Sequence, residues 1–250
     1  MTLTPFAGRS LAILSVLFLL SACAQPDAPP EADPSAETAS AATPASETPP
    51  EGPADEAESD SETLTVVFFG DSLTAGYGLP NPEEEAYPGL IADRLEAEGI
   101  EARVVNAGSS GETTAGGLRR VDWILSNNPP DVFVLALGGN DMLRGQPPEE
   151  TEANLAATFE KVREVAPDAR LVLAGMEALA NYGEDYRETF RGVYRDVADR
   201  YDAAFIPFLL EGVGGVRELN QPDGVHPTAE GQQVMAETVW TTLAPLVGAS

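Results

Sequence analysis

Short apolar runs alternate with helical patterns across residues 64–250, and this alternation constrains the fold more than any other feature of the sequence. Five runs have the length and the β-branched or aromatic content of buried strands: 64–69, 103–105, 132–137, 171–174 and 204–206. The segments patterned as helices are 88–98, 114–126, 149–165, 185–201 and 228–246. This order predicts an α/β domain over residues 63–250, with a mainly parallel five-stranded sheet covered by helices on both faces.

The first 22 residues are typical of a bacterial export signal. One positive side chain, Arg9, precedes an apolar run at 11–20. About ten apolar residues are too few to cross a bilayer, which takes about 20. The run is therefore predicted to be the core of a cleaved signal peptide.

The signal ends in Leu20-Ser21-Ala22-Cys23, which resembles a bacterial lipobox. In that resemblance Cys23 becomes the first residue of the mature chain and carries a lipid, and the alanine after it favours sorting to the outer membrane. The alternative is an ordinary signal peptide whose small residues lie near the cut. Because the chain has a single cysteine and it falls at this position, the sequence favours a lipoprotein of the cell envelope.

Residues 23–62 have the composition of a tether. After Cys23 they are almost all Ala, Pro, Glu, Asp, Ser and Thr, with eleven acidic side chains and no basic one. Such a segment buries too little apolar surface to offset the entropy of ordering it, so it is predicted to be disordered. Proline and like-charge repulsion should extend it.

The net charge and the counts of two residue types exclude several classes of function. The formal net charge is −27, so the chain is expected to repel phosphates and to bind no nucleic acid. Residues 63–250 alone keep 30 acidic and 13 basic side chains, a net charge of −17. One cysteine and one histidine allow no intrachain disulfide and no metal site built from several such ligands. No nucleotide-binding loop is present either, so the sequence implies no cofactor.

A serine follows the first predicted strand directly, within the turn Gly70-Asp71-Ser72-Leu73. A side chain at a strand-to-helix turn is exposed, and backbone N–H groups at the start of the helix can stabilise an oxyanion. Both features suit a nucleophile, and Ser72 is the candidate. The alternative is an ordinary turn in which Asp71 or Ser72 only caps a helix.

The single histidine, His226, lies in a Gly/Pro-containing loop just before the last predicted helix. Asp223 precedes it by three residues, so the carboxylate can reach the imidazole, fix its tautomer and stabilise the imidazolium, as a catalytic triad requires. A lone histidine can equally be a surface or structural residue. Because no other imidazole is available, Asp223 and His226 are the predicted partners of Ser72.

Two more polar turns follow predicted strands, at 106–113 and 138–141. They contain Gly111 and Asn140, and a glycine N–H and an Asn side-chain amide are donors of the kind that stabilise the oxyanion of acyl transfer. Each turn alone is also ordinary, because Asn and Gly are common turn residues. Since ligands of parallel sheets bind at the carboxyl ends of the strands, the predicted fold should gather all of these turns at one edge.

The turns resemble, in order, the four sequence blocks of the SGNH (GDSL-type) hydrolase family. The matching blocks are Gly70-Asp71-Ser72-Leu73, Gly111, Gly139-Asn140-Asp141 and Asp223-Gly224-Val225-His226-Pro227. The likeness runs from about residue 64 to the end, and it is greatest to the bacterial periplasmic branch of thioesterases, arylesterases and lysophospholipases. Further similar stretches are 72–77, 137–145, 180–183 and 206–208. The resemblance implies a three-layer α/β/α sandwich of the flavodoxin-like type.

The resemblance also implies a role for each residue. Ser72 is the nucleophile, and its own N–H is one oxyanion donor. The N–H of Gly111 is the second donor, and the side chain of Asn140 is the third. His226 is the base, and Asp223 orients it.

The sequence therefore predicts a serine esterase that cleaves carboxylic esters or thioesters through an acyl-serine intermediate. The expected substrates are aryl esters, short to medium acyl chains and lysophospholipids, and the lipid on Cys23 is expected to bind a membrane. One alternative is a carbohydrate or peptidoglycan O-acetylesterase, which a groove lined with aromatics would favour; the chain has two tryptophans. The second alternative is a non-catalytic surface lipoprotein. Members of this branch are usually soluble in the periplasm, so the lipobox and the tether are departures from it.

Overall fold

Five strands form one sheet in the computed structural model, which describes residues 63–249. The strands are β1 (Leu64–Gly70), β2 (Ala102–Gly108), β3 (Val132–Ala136), β4 (Arg170–Ala174) and β5 (Ala204–Ile206). The helices are α1 (Ser72–Ala75), α2 (Pro82–Glu85), α3 (Tyr87–Ala97), α4 (Thr114–Asn127), α5 (Gly139–Leu143), α6 (Pro148–Val165), α7 (Glu184–Tyr201) and α8 (Ala229–Val247), with short 3-10 helices at Ala180–Tyr182 and Arg217–Leu219. The predicted signal peptide, at 1–22, and the predicted lipidated tether, at 23–62, lie outside the described residues.

The strand order is β2-β1-β3-β4-β5, and every neighbouring pair is parallel. The predicted α/β class and the parallel five-stranded sheet are therefore confirmed. β1 lies between β2 and β3, and its last residue, Gly70, pairs with Gly108 on one side and Ala136 on the other. The three strands end at the same level, which places the turns after them at one edge of the sheet.

Consecutive residues of β1 show that helices cover both faces of the sheet. The ring of Phe68 meets Tyr87 of α3 edge to face, with centroids 5.4 Å apart. The next residue, Phe69, lies under the guanidinium of Arg120 of α4, 4.4 Å from the ring centroid. Because successive side chains of a strand point to opposite faces, α3 and α4 lie on opposite sides. α8 packs beside α3, while α6 packs beside α4 and α7 beside α6, which completes the three layers.

The structure differs from the sequence prediction mainly in its short elements. Helices α1, α2 and α5 have four or five residues each, too few for a helical period to appear in the sequence. β2 is also longer than the predicted run at 103–105, because its pairing with β1 continues through Asn106, Ala107 and Gly108. Within residues 63–249, no helix has both the length and the apolar content needed to cross a bilayer.

Gly108 lets α1 lie directly against the end of β2. A Cβ built on Gly108 would overlap the backbone nitrogen of Ala75 and come within 2.7 Å of its Cα. The neighbouring atoms belong to the helix backbone, so they cannot move aside as a flexible side chain would. The absence of a side chain at Gly108 thus helps to set the position of the helix that begins at Ser72.

Gly108→Ala should destabilise the protein by about 1–3 kcal/mol, because the added methyl group is forced against backbone. The control is Gly192→Ala in α7, where a Cβ would meet nothing within 4 Å. That variant should be neutral or more stable by up to about 1 kcal/mol, since Ala favours helix more than Gly does. Urea unfolding measures both, and equal effects of the two substitutions would contradict the argument.

Candidate active site

Ser72 is the first residue of α1, and only Asp71 separates it from the end of β1. The carboxylate of Asp71 caps this helix by accepting a hydrogen bond from the N–H of Leu73 at 3.0 Å. Ser72 lines a cavity of about 820 Å³ at the carboxyl edge of the sheet. The predicted strand-to-helix turn is present, and it puts the serine beside space that a substrate can fill.

His226 joins Ser72 to Asp223. Its Nε2 lies 3.0 Å from Ser72 Oγ, and its Nδ1 lies 2.7 Å from Asp223 Oδ2. The serine precedes the histidine by 154 residues, so this contact is made entirely by the fold. The structure thus brings the three predicted residues into one hydrogen-bonded chain, in the order that a triad uses.

Hydrogen bonds hold Asp223 as a carboxylate. Besides its bond to the His226 ring, its Oδ1 accepts from the backbone N–H groups of Val225 at 2.9 Å and His226 at 3.0 Å. The bond from the His226 ring, with help from these N–H groups, lowers the pKa of Asp223 to about 2. The side chain is 42% exposed, so its hydrogen bonds, and not burial, account for the lowered pKa. A negative charge therefore stands behind the imidazole throughout the neutral range.

Gln221 connects the histidine loop to the turn after α1. Its Nε2 donates to the carbonyl oxygens of Tyr77 at 2.7 Å and Pro227 at 3.0 Å, and its backbone N–H donates to His226 O at 2.7 Å. The ring of Tyr77 also lies against the imidazole, with centroids 4.6 Å apart. These contacts fix the imidazole relative to the serine that it must reach.

Gly111 and Asn140 line the same cavity as Ser72. Gly111 has a φ of +77°, which only glycine adopts without strain. Its carbonyl accepts from Arg144 Nη2 at 2.9 Å, and among residues 63–249 its N–H has no acceptor. Because Arg144 directly follows α5, which carries Asn140, the guanidinium ties together the segments of the two predicted oxyanion donors.

A second tie between these segments is a buried carboxylate. Asp141, next to Asn140, accepts from the N–H of Thr114 at 2.8 Å and from its hydroxyl at 2.5 Å. Thr114 begins α4, directly after the loop that contains Gly111, and its hydroxyl also accepts from Asn154 at 3.1 Å. The bond at Asp141 therefore limits how far the two donors can move apart.

Asp71 is the site residue whose role the sequence does not reveal, because its position in the turn predicts only a helix cap. Its second oxygen, Oδ2, accepts from Asn140 Nδ2 at 3.0 Å, and the side chain is buried. Burial raises the pKa of Asp71 to about 6, although the bonds from Leu73 and Asn140 oppose the rise. Its place between Gly70 and Ser72 is visible in the sequence, but its contact with Asn140, 69 residues away, is not.

Four of the five predicted site residues of the folded part line one cavity: Ser72, Gly111, Asn140 and His226. The fifth, Asp223, is joined to them by its hydrogen bond to the His226 ring. Cys23, the predicted lipidation site, lies outside the described residues. Within residues 63–249, no group of three or more His, Cys, Asp or Glu side chains is arranged to hold a metal ion.

Asp71→Asn should remove part of the pH dependence of stability. The pKa of Asp71 in the fold, about 6, lies above its ordinary value of 3.8, so the folded state holds the proton more tightly. Its contribution is therefore present in full below pH about 4 and is lost as the pH rises through about 6, by about 2–3 kcal/mol at most. The free energy of unfolding in urea, measured from about pH 4 to 8, should fall less steeply in the variant. Parallel curves for the two proteins would contradict the assignment.

Comparison with protein families gives a match to the GDSL-like Lipase/Acylhydrolase family over residues 68–234. The esterase TesA of Pseudomonas aeruginosa is 43% identical over 190 residues, which are 76% of this chain and 92% of that protein. An arylesterase of Vibrio mimicus is 36% identical over 183 residues, 73% of this chain and 88% of that one. The thioesterase 1/protease 1/lysophospholipase L1 of Escherichia coli is also 36% identical over 183 residues, 73% of this chain and 85% of that one.

Solved structures show the same likeness. The crystal structure of TesA matches with a TM-score of 0.69 at 43% identity, covering 73% of this chain and 99% of that one. AlinE4, an esterase of the SGNH-hydrolase family, matches with a TM-score of 0.61 at 40% identity, covering 75% and 96%. The family match contains the turn with Ser72 and the loop with His226. The chain therefore belongs to the GDSL-like lipase/acylhydrolase family and is a serine hydrolase that cleaves ester bonds.

Proposed function

We propose that Ser72 attacks the ester carbonyl, that His226 is the general base and acid, and that Asp223 orients and stabilises the imidazole. The observation that carries this proposal is the continuous chain from Asp223 Oδ2 through the two ring nitrogens to Ser72 Oγ. The low pKa of Asp223 supports it, because an ionised carboxylate stabilises the imidazolium that forms during attack.

The reaction runs in two halves. As Ser72 Oγ bonds to the carbonyl carbon, its proton passes to His226 Nε2; the imidazolium then gives this proton to the leaving alcohol or thiol, and an acyl-Ser72 remains. Water attacks the acyl-enzyme with His226 again as base, which releases the acid and restores the serine. No other group need take or give a proton.

Three donors are proposed to bind the oxyanion: the N–H groups of Ser72 and Gly111 and the side-chain amide of Asn140. An amide NH₂ has two hydrogens, and the bond to Asp71 uses one of them, which leaves the other for substrate. Asp71 also sets which way the amide faces, because its carboxylate accepts hydrogen bonds and cannot pair with the oxygen of Asn140. Asp71 thus acts through Asn140 as a positioning residue.

The proposed substrates are carboxylic esters and thioesters with an apolar acyl or aryl group. Side chains that line the cavity beyond the catalytic residues are mostly apolar, namely Met142, Leu143, Met176, Leu179, Phe208 and Leu210. Apolar walls with few polar groups suit a small apolar ligand. The names of the relatives support aryl esters, thioesters and lysophospholipids as classes to test.

The alternative of a carbohydrate O-acetylesterase is less well supported. The two tryptophans do not line the cavity, since Trp123 is exposed on α4 and Trp240 is buried in α8. Besides His226, the aromatic side chains that line it are Tyr77 and Phe208. The second alternative, a non-catalytic lipoprotein, is disfavoured because the hydrogen-bonded chain from Asp223 to Ser72 is intact.

We further propose that the chain is a lipoprotein of the bacterial cell envelope, anchored by a lipid on Cys23 and facing the periplasm or the cell surface. The support is the lipobox-like Leu20-Ser21-Ala22-Cys23 at the end of a short apolar run. A soluble periplasmic enzyme is the alternative.

Ser72→Ala should lower turnover by about 10⁶-fold, the scale for loss of a triad serine, without loss of fold. A panel of p-nitrophenyl esters of increasing chain length, acyl-CoA, lysophosphatidylcholine and acetylated xylan measures both the role and the substrate class. Apolar acyl esters should be cleaved faster than acetylated glycan. Turnover above a few per cent of wild type in pure variant would remove Ser72 from the mechanism, and preference for the glycan would favour the O-acetylesterase.

Asn140→Ala should lower kcat by about 10²–10³-fold with little change in KM, because an oxyanion donor acts mainly on the transition state. Asp71→Asn should also lower kcat, since the introduced amide would present its NH₂ to that of Asn140 and force the Asn140 amide to turn. Because both changes act on one donor, the double variant should be little slower than Asn140→Ala alone. Additive losses would show that Asp71 acts independently of Asn140.

Cys23→Ala should move the protein out of the membrane fraction or block its processing in a bacterial host, because the thiol that carries the lipid is gone. Ser21→Ala is a control that keeps the thiol and should stay in the membrane fraction. Mass spectrometry of the wild-type mature N-terminus provides the direct check. An unmodified N-terminus at a residue other than Cys23 would refute lipidation.

A further inference from the structure

We propose that the mouth of the cavity docks onto a zwitterionic lipid surface through an apolar rim, defined as Tyr77, Leu143, Leu179 and Val225. The proposal deepens the function proposed above, because it makes an amphiphile in a membrane the substrate that reaches Ser72. Docking does not require any residue of the rim to be catalytic, so the two proposals can fail separately.

The rim consists of large apolar side chains that remain in water. Tyr77 is 53% exposed, Leu143 49%, Leu179 52% and Val225 45%, and all four line the cavity that contains Ser72. They come from four separate segments: the turn after α1, the end of α5, the loop after β4 and the histidine loop. Single exposed hydrophobic residues are common on proteins, but a cluster around one opening marks an interaction surface.

The charges at the mouth favour a zwitterionic lipid over an anionic one. In the part of the chain that the structure describes, no lysine or arginine lines the cavity, and its Glu177 is paired with Arg191 at 3.2 Å. Attraction to anionic lipids depends on clustered basic residues, which this lining lacks. The net charge of −17 over residues 63–250 would add repulsion.

The length of chain before the fold is sufficient to let the mouth face the membrane that holds Cys23. Leu64 is the first residue of β1, whereas Ser72 lies just beyond the last one. The chain therefore enters the domain at the amino ends of the strands, about 20 Å from the edge that carries Ser72. A domain of this length is roughly 40 Å across, so a path halfway around its surface, from one end to the other, is roughly 65 Å. The 40 residues between Cys23 and Leu64 reach up to about 130 Å, twice that path.

Docking would let an ester with a long acyl chain slide from the bilayer into the cavity without crossing water. Burial of four side chains that are half exposed would stabilise the docked state through the hydrophobic effect, by an amount that grows with the apolar area removed from water. The acidic remainder of the surface would stay in solution.

Brominated lipids test the docking, because bromine quenches a tryptophan that enters the acyl region. Two reporters are compared in the full chain carrying Ser72→Ala and Trp123→Phe: Leu179→Trp at the rim and Val165→Trp at the end of α6. Val165 is the matched control, since it is 50% exposed and does not line the cavity. The protein is held by its lipid in phosphatidylcholine vesicles with brominated chains.

Quenching of the reporter at 179, with none at 165, is the expected result. Adding Leu143→Ser should abolish that quenching. Equal quenching at both positions, or none at 179, would overturn the proposal. So would a dimer in analytical ultracentrifugation that Leu143→Ser dissociates, because the rim would then bind a second copy. Since Ser72→Ala cannot hydrolyse lipid, these results do not depend on the esterase assay.

A shortened chain provides the second measurement. Deleting 30 of the residues between Cys23 and Leu64 leaves ten, which reach about 35 Å, less than the path around the domain. Quenching at 179 should then be lost in the anchored protein. Replacing the 30 residues with a Gly/Ser sequence of equal length is the control, and it should restore quenching. Quenching that persists in the short chain would contradict the argument that the mouth reaches the membrane by a path around the domain.

Discussion

The parallel pairing of β1 with β2 on one side and with β3 on the other is the constraint on which the active site depends. Gly70 pairs with both Gly108 and Ala136, so three strands end at one level and the chain leaves each of them at the same edge. A slip of one residue in any of these pairs would move every side chain of the strand to the opposite face, where it would no longer fit the helices packed there. The core therefore fixes the position of the turns, although it contains none of the proposed catalytic residues.

Buried carboxyl groups then fix the distances between the segments at this edge of the sheet, which strand pairing alone does not fix. Asp71 joins the start of α1, which carries Ser72, to Asn140. The residue after Asn140, Asp141, binds Thr114 at the start of α4. Burying two carboxyl groups in a domain that is already strongly acidic costs stability unless each is well hydrogen-bonded. The raised pKa of Asp71 shows that part of this cost remains. Under the proposed mechanism, the domain thus gives up some stability to hold the two proposed oxyanion donors in place.

The surface of the domain has two parts that differ in chemistry, an acidic part and an apolar one. Most of it is acidic and well suited to water, and ion pairs such as Arg94–Glu237 and Arg187–Glu184 lie on it. The mouth of the cavity is different, because exposed apolar side chains from three loops and the end of α5 collect there. Loops tolerate change more readily than strands, so one sheet can keep the catalytic geometry while its loops decide which esters enter.

The sequence by itself determined the class of fold and predicted the residues proposed for the chemistry. Alternating strand-like and helix-like runs predicted the parallel sheet, and a chain with one histidine left His226 as the only imidazole for Ser72. Only the tertiary structure decided the contacts that give these residues their geometry. The bond from Asp71 to Asn140 and that from Gln221 to Tyr77 join residues 69 and 144 positions apart, and no local pattern encodes them. The physical reason is that such contacts follow from strand register and loop path, which the packing of the whole core sets.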